Sequence, residues 1–283
     1  MIDTHAHLIS DDHARFPPSP PSGELRSGDL DDPMTGERLL KEMDAAGVEK
    51  AVLVQRGSVY GFDNRYVCMT AAEHPDRFTA VCAIDSLSDD GAEAVRRWVD
   101  AGAAGMRLME LVKRDSVDWL CSPSALAVWD AALSARVSMC VHFFPWNRKA
   151  GLKALQQILQ ERPSANVVID HLSNMNVMAG APDYGLDEDL LAVTAFPGVR
   201  LKFTTIPLGR LSEAGVDPQP IIQRIAAEIG SHRLMWGSDI GQSPGSYEFQ
   251  AGLGRAGVRS LTEMESAAIL TGSAEAVYGP WWR

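Results

Sequence analysis

The chain of 283 residues lacks several features that would settle its class at once. No apolar run approaches the roughly 18 residues that suggest a membrane span, so no transmembrane helix is expected. Its four cysteines, Cys68, Cys82, Cys121 and Cys140, form no C-x-x-C pair and mostly sit in apolar stretches. That pattern argues for reduced core thiols, not for a disulfide framework or a cysteine-rich zinc site. Basic residues are scarce: 26 Lys and Arg stand against 37 Asp and Glu, for a formal net charge of −11 and a pI near 5.1. The summed field repels nucleic acid and anionic membranes, so neither is an expected partner, whereas a small anionic organic substrate needs only local Arg or Lys residues. No segment is poor enough in apolar residues to read as an extended disordered region. Nothing ahead of the first candidate strand resembles a signal peptide, and a cytoplasmic protein is expected. Homo-oligomerisation stays open.

What the sequence does have is a repeated alternation. With 46% hydrophobic residues and 30.7 kDa the chain can bury a large core, and one domain over residues 1–283 is the default. Short apolar runs alternate with amphipathic stretches throughout. IDTHAH precedes TGERLLKEMDAAG, KAVLVQ precedes NRYVCMTAAEH, FTAVCAI precedes DDGAEAVRRWVDAG, and AGMRLM precedes SPSALAVWDAALSA. VSMCVHF, NVVIDHL, VRLKFT and RLMWGSD continue the series, each followed by a helical pattern, the last a weaker one over residues 247–256. Continuous apolar strands imply burial on both faces, as in a parallel sheet covered by helices. Eight such units predict a (β/α)8 TIM barrel, with LTEMESAAILTGSAEAVYG as an extra C-terminal helical element packed on the outside. The barrel is distorted by one long connection, SDDHARFPPSPPSGELRSGDLDD between Ile9 and Pro33, which has no helical period. It reads either as a cover over the active-site end or as disorder.

The polar residues on these strands fall into a pattern. His5 and His7 end strand one, and on a strand their side chains share a face. Two solvated histidines on a frayed terminus would explain H-x-H by itself. However, Arg107 lies on strand four, His142 ends strand five, His171 ends strand six, Lys202 lies on strand seven and Asp239 ends strand eight. In TIM barrels such strand ends converge on one face. Three histidines and an aspartate suit a single divalent ion, Zn²⁺ first and Mn²⁺ next, with a position left for water. His13, His74 and His232 lie in loop and turn contexts and read as structural or solvated.

With these motifs the chain resembles the amidohydrolase superfamily, in particular its amidohydrolase-2 branch and the 2-pyrone-4,6-dicarboxylate lactonase-like hydrolases within it. MIDTHAHL is similar to the family's opening D-x-H-x-H, VIDHL to its strand-six histidine, VRLKFT to its strand-seven lysine segment and LMWGSD to its G-S-D. LVQRGSVYGFDNRY, AGMRLMELVKR and TGSAEAVYG resemble further segments of the lactonase side. Departures from the family pattern narrow the reading. Arg107 stands where two-metal members carry a bridging lysine or glutamate, which implies at most one ion. His142 is similar to the strand-five ligand of the branch's metal-dependent decarboxylases, in which the strand-six histidine works beside the metal; by this likeness the ligand set is His5, His7, His142 and Asp239. Lactonases of the branch can also work without metal. IGQSPG follows Asp239 where tryptophan, proline and histidine are usual, which leaves the substrate open.

The leading expectation is therefore a hydrolase that opens a carboxylate-bearing lactone or similar cyclic ester. Arg107, Lys113 and Arg114 are the candidate carboxylate binders, because guanidinium groups match carboxylates. Asp239 is the expected proton acceptor and His171 the oxyanion donor, while Lys202 either assists or pairs with an acidic neighbour. The alternatives are a metal-dependent decarboxylase of an aromatic or unsaturated acid on the same fold, and a non-catalytic binding protein on a decayed barrel.

Overall fold

A computed structural model describes residues 1–282. Its eight parallel strands are β1 (Ile2–Ala6), β2 (Lys50–Val54), β3 (Phe78–Ala83), β4 (Ala103–Met109), β5 (Ser138–His142), β6 (Val167–Ile169), β7 (Val199–Thr204) and β8 (Leu234–Gly237). Each pairs with the next in chain order. With helices between them, this is the (β/α)8 TIM barrel that the alternation predicts. Side-chain caps mark several helix starts: Thr35 accepts from Arg38 N ahead of Gly36–Ala46, and Ser122 from Ala125 N ahead of Pro123–Ala135. Each satisfies an amide that the first turn leaves open and contributes about 1 kcal/mol. No helix among the described residues is long and apolar enough to cross a membrane.

The seam between β8 and β1 is held less by a ladder than by side chains. One isolated bridge joins Ala6 and Ile240, and Thr4 Oγ1 donates to Trp236 O at 2.6 Å. The buried Asp3 carboxylate accepts from Ser238 N (2.8 Å), Ser238 Oγ (2.5 Å) and Tyr247 Oη (3.0 Å). Within β1 the register against β2 shifts between Asp3 and Ala6. Strict alternation would put Ile2 and His5 on opposite faces. The shift lets Ile2 pack with the barrel-interior residues Val52 and Met235 while His5 also faces inward.

Two elements differ from expectation. A helix at Thr205–Glu213 precedes the predicted one, which is observed at Gln219–Ile229; Pro207 and Gly209 mask it in the sequence. The C-terminal run, expected on the outside, closes the N-terminal mouth of the barrel: Val277, Tyr278 and Trp282 pack with Ile2, Val52 and Ala104. Lys50, the first residue of β2, lies 4.7 Å over the Trp282 ring. The long loop, residues 10–33, carries no helix or strand but is packed. Phe16 is buried with its ring 4.9 Å from Tyr66, and Ser19 N donates to Val59 O at 2.8 Å.

Candidate metal and active site

The C-terminal rim gathers His5, His7, His142, His171, Arg107, Lys202 and Asp239, all buried. His7 Nδ1 lies 2.7 Å from Val54 O. A carbonyl only accepts, so Nδ1 carries the proton and Nε2 a lone pair. His5 Nδ1 lies 3.2 Å from Asp170 Oδ1 and 3.3 Å from Lys202 Nζ. The carboxylate holds the Nδ1 proton, which again frees Nε2. Asp239 Oδ2 accepts from Ser243 Oγ at 2.6 Å, while Oδ1 stands 3.5 Å from His5 Nε2 and 3.4 Å from His7 Nε2. Neither His5 Nε2 nor Asp239 Oδ1 has a hydrogen-bond partner among the described residues. Three buried lone-pair atoms that face one another repel unless a cation joins them. Ligands about 2.0–2.1 Å from a tetrahedral ion lie roughly 3.3–3.4 Å apart, close to the spacing here. These residues therefore fit one divalent ion, held by His5, His7 and Asp239.

The backbone is shaped to make that approach. A Cβ at Gly237 would meet His5 Cβ at 2.5 Å, and one at Gly241, whose φ is +77°, would meet His7 O at 2.4 Å. Asp239 between them has φ +65°, a left-handed conformation that an L-residue adopts at a cost of roughly 1–2 kcal/mol. His171 opens a run of left-handed residues, His171, Leu172, Ser173 and Asn174, with φ of 51°, 51°, 57° and 51°. Arg148 Nε on Ser173 O (2.8 Å) and Asn174 Nδ2 on Phe143 O (2.6 Å) hold that turn in place. His171 Nδ1 then meets Thr204 Oγ1 at 2.7 Å.

Asp170 is the residue that sequence reasoning missed. Fully buried, it pairs with Arg107 Nε (3.0 Å), Lys202 Nζ (3.3 Å) and His5 Nδ1, and accepts from Cys140 Sγ (3.1 Å). The signal was the alternation in NVVID, which sets Val168 and Asp170 on the interior face. Arg107 and Lys202, expected at the substrate, are thus both committed to Asp170. Of the two alternatives for Lys202, it is the acidic partner that the structure contains. Lys113 and Arg114 are exposed on the loop after β4. Lys113 Nζ lies 5.4 Å over the Trp146 ring and Arg114 N donates to Glu110 Oε1 at 2.5 Å, and neither side chain pairs with the histidines or with Asp170 or Asp239 among the described residues.

His142 departs from its expected role. Arg107 Nη2 lies 3.2 Å from its Nδ1, and guanidinium only donates, so Nδ1 accepts and Nε2 carries the proton. An imidazole in that state offers no lone pair at Nε2. His142 also stands outside the groups of convergent ligand atoms, and its buried Nε2–H lacks a partner among the described residues. His13, His74 and His232 also stand outside those groups.

The amidohydrolase-2 family model, described as Amidohydrolase, matches residues 2–279. The chain belongs to that family. No curated protein matches it. Among solved structures it is similar to a probable 2-pyrone-4,6-dicarboxylic acid hydrolase from Acinetobacter baumannii with citric acid bound, at 20% identity and TM-score 0.73, covering 98% of both chains. It is also similar to an amidohydrolase from Burkholderia multivorans with bound zinc, at 18% identity and TM-score 0.70 over 98% of both chains. A third relative in fold is 5-carboxyvanillate decarboxylase from Novosphingobium aromaticivorans complexed with manganese and 4-hydroxy-3-methoxy-5-nitrobenzoic acid. There the identity is 15% and the TM-score 0.68, over 98% of this chain and 95% of that one.

In this amidohydrolase the protonation states suit a cation. Burial foremost pushes His5 and His142 well below the ordinary imidazole range, lowers His7, and takes His171 down to about 4. Burial alone would raise Asp239, but the close approach of His7 and of the His171 and His5 imidazoles brings it below the usual carboxylate range. Asp170 is likewise driven well below that range, as Lys202, His5 and Arg107 outweigh its burial. Neutral imidazoles beside ionised carboxylates are the forms that ligate metal at neutral pH.

Proposed function

We propose that the protein is a metal-dependent hydrolase that opens a lactone or similar cyclic ester bearing a carboxylate. The observation that carries this reading is the convergence of His5 Nε2, His7 Nε2 and Asp239 Oδ1, each buried and free to ligate. A divalent ion held there supplies the Lewis acidity that makes water a nucleophile near neutral pH. Asp239, kept ionised, takes the proton of the attacking water and returns it to the leaving oxygen. The His142 Nε2–H, fixed in that form by Arg107, donates to the oxygen on which negative charge develops. His171, with its ring centroid 4.9 Å from that of His142, is the second group at this oxygen. Arg107 and Lys202 act through Asp170, which orients His5. The hydrolase and zinc-bound relatives in fold support the reading, in which Zn²⁺ is the proposed ion.

A second reading has its own support. His142 and His171 form a proton-carrying pair beside the ligand cluster, and a manganese-bound decarboxylase shares the fold. In that chemistry His171 or Asp239 protonates carbon. One experiment separates the two. Protein purified without chelator or nickel is assayed for metal by mass spectrometry, then for turnover on cyclic lactone carboxylates and aromatic carboxylates in ¹⁸O-labelled water. About one ion per chain and ¹⁸O in a new carboxylate are expected. Asp239→Asn should lower kcat by about 10²–10⁴, the scale of general-base catalysis, and His142→Ala should lower kcat while the ion is kept. Release of CO₂ without ring-opened acid sinks the hydrolase reading.

A further inference from the structure

Arg56, two residues past β2 in LVQRG, is a buried cation that the site described above does not use. Its side chain is 6% exposed, and its guanidinium has a single partner: Nη2 donates to Asp29 Oδ1 of the long loop at 3.1 Å. Nε and Nη1 have no hydrogen-bond partner among the described residues. Buried charged donors are costly to leave unmade, so such a group marks a place where another acceptor belongs. Arg56 lines a cavity of about 530 Å³ between the long loop and residues Ile240–Ser246, a volume in the range of small-molecule sites.

That cavity adjoins the ligand cluster on both sides. Ser243 lines it and also donates to Asp239 Oδ2 at 2.6 Å. Val54, two residues before Arg56, holds His7 Nδ1 through its carbonyl at 2.7 Å. The other arginine in the wall, Arg38, is taken up by Asp32 and by Glu42 at 3.0 Å. Among the residues lining this cavity, the unpartnered cationic donors therefore belong to Arg56. A guanidinium carries five N–H donors and can serve two carboxylates on separate edges, so Asp29 on Nη2 leaves room for a second.

We infer that Arg56 binds a carboxylate of the substrate in the cavity between the long loop and the residues after β8. The inference rests on the carboxylate-bearing substrate of the proposed function and moves carboxylate recognition from Arg107, Lys113 and Arg114 to a residue beside the ligand cluster. Asp29 is a positioning residue that holds the guanidinium at the cavity wall through Nη2. Arg56 then sets specificity: a ring bearing one carboxylate toward the metal ligands needs a second to reach it.

The test is a binding measurement that needs no turnover. Isophthalate, a planar ring with two carboxylates meta to each other, and its monomethyl ester are titrated calorimetrically into metal-loaded wild type, Arg56→Met and Arg56→Lys. Wild type should bind the diacid more tightly than the monoester. Arg56→Met should weaken the diacid by about ten- to a hundredfold, the scale of one charge-assisted hydrogen bond, and leave the monoester and the metal content nearly unchanged. Arg56→Lys, which keeps the charge and guards against a folding defect in the Met variant, should fall between. Undiminished affinity of Arg56→Met for the diacid overturns the assignment and leaves the carboxylate reading standing. A wild type that binds dimethyl isophthalate as well as the diacid overturns both.

Discussion

Asp170 neutralises two buried cations, Arg107 and Lys202, and at the same time receives the Nδ1 proton of His5. Replacing it with asparagine leaves both cations uncompensated in the interior, for which a loss of about 3–5 kcal/mol is expected. It also removes the acceptor that orients His5, so metal affinity should drop by about 10- to 100-fold. Thermal unfolding and a competitive metal titration of Asp170→Asn check the two effects separately, and wild-type values in both would remove Asp170 from the site. Its sharing of one site with its neighbour His171 shows what the sequence could not display. His5, His7 and Asp239 were legible because their alternation and strand-end positions put them on one rim. Asp170 and His171 are adjacent, and on a continuing strand one would face in and the other out. The left-handed run that starts at His171 brings both to the site, and such φ angles in non-glycine residues leave no mark in the sequence. The His142 tautomer was equally hidden, since it depends on which Arg107 nitrogen lies nearby.

Among the elements, the loop of residues 10–33 is the one whose state the sequence left open between a cover and disorder. Its Pro, Ser, Gly and Asp content specifies no period, so nothing local says what it rests on. The attachments are tertiary: Phe16 on Tyr66, Ser19 on Val59, and Asp29 on Arg56. Asp29 and Arg56 are both largely buried, with side chains 8% and 6% exposed, so this pair is shielded from the screening that weakens surface ion pairs. Asp29→Asn should therefore loosen the second half of the loop and raise amide hydrogen exchange over residues 26–32, with little change near Phe16. Unchanged exchange would show that the ion pair does not hold the segment. The C-terminal helices pose a similar problem. Their apolar face was visible as periodicity, but periodicity does not say whether that face meets the helical ring or the barrel mouth, where Tyr278 and Trp282 lie.

For the whole molecule, the eight units were legible because parallel strands buried on both faces read as unbroken apolar runs. Burying the histidines ties stability to pH. His5, His7, His142 and His171 all have folded pKa values below the ordinary 6.5, His171 at about 4. Between those values the unfolded chain binds protons that the folded chain refuses, so stability falls as pH drops below about 6.5. Each histidine contributes up to about 1.4 kcal/mol per pH unit. The depressed Asp170 and Asp239 act in the same direction, but only below the ordinary carboxylate range. The Tm of metal-free protein should therefore decline from pH 7 to pH 5, and a flat profile would contradict the buried neutral imidazoles. The seam between β1 and β8 has a different consequence, in time. Thr4 and Trp236 meet across 232 positions, and Asp3 and Tyr247 across 244. On a ribosome that adds about 5–20 residues per second, His5 and His7 emerge tens of seconds before Asp239 can join them. A nascent chain can build several strands yet has no complete ligand cluster until its eighth barrel strand is out, so a cation taken up at this cluster would report that the eighth strand has been made.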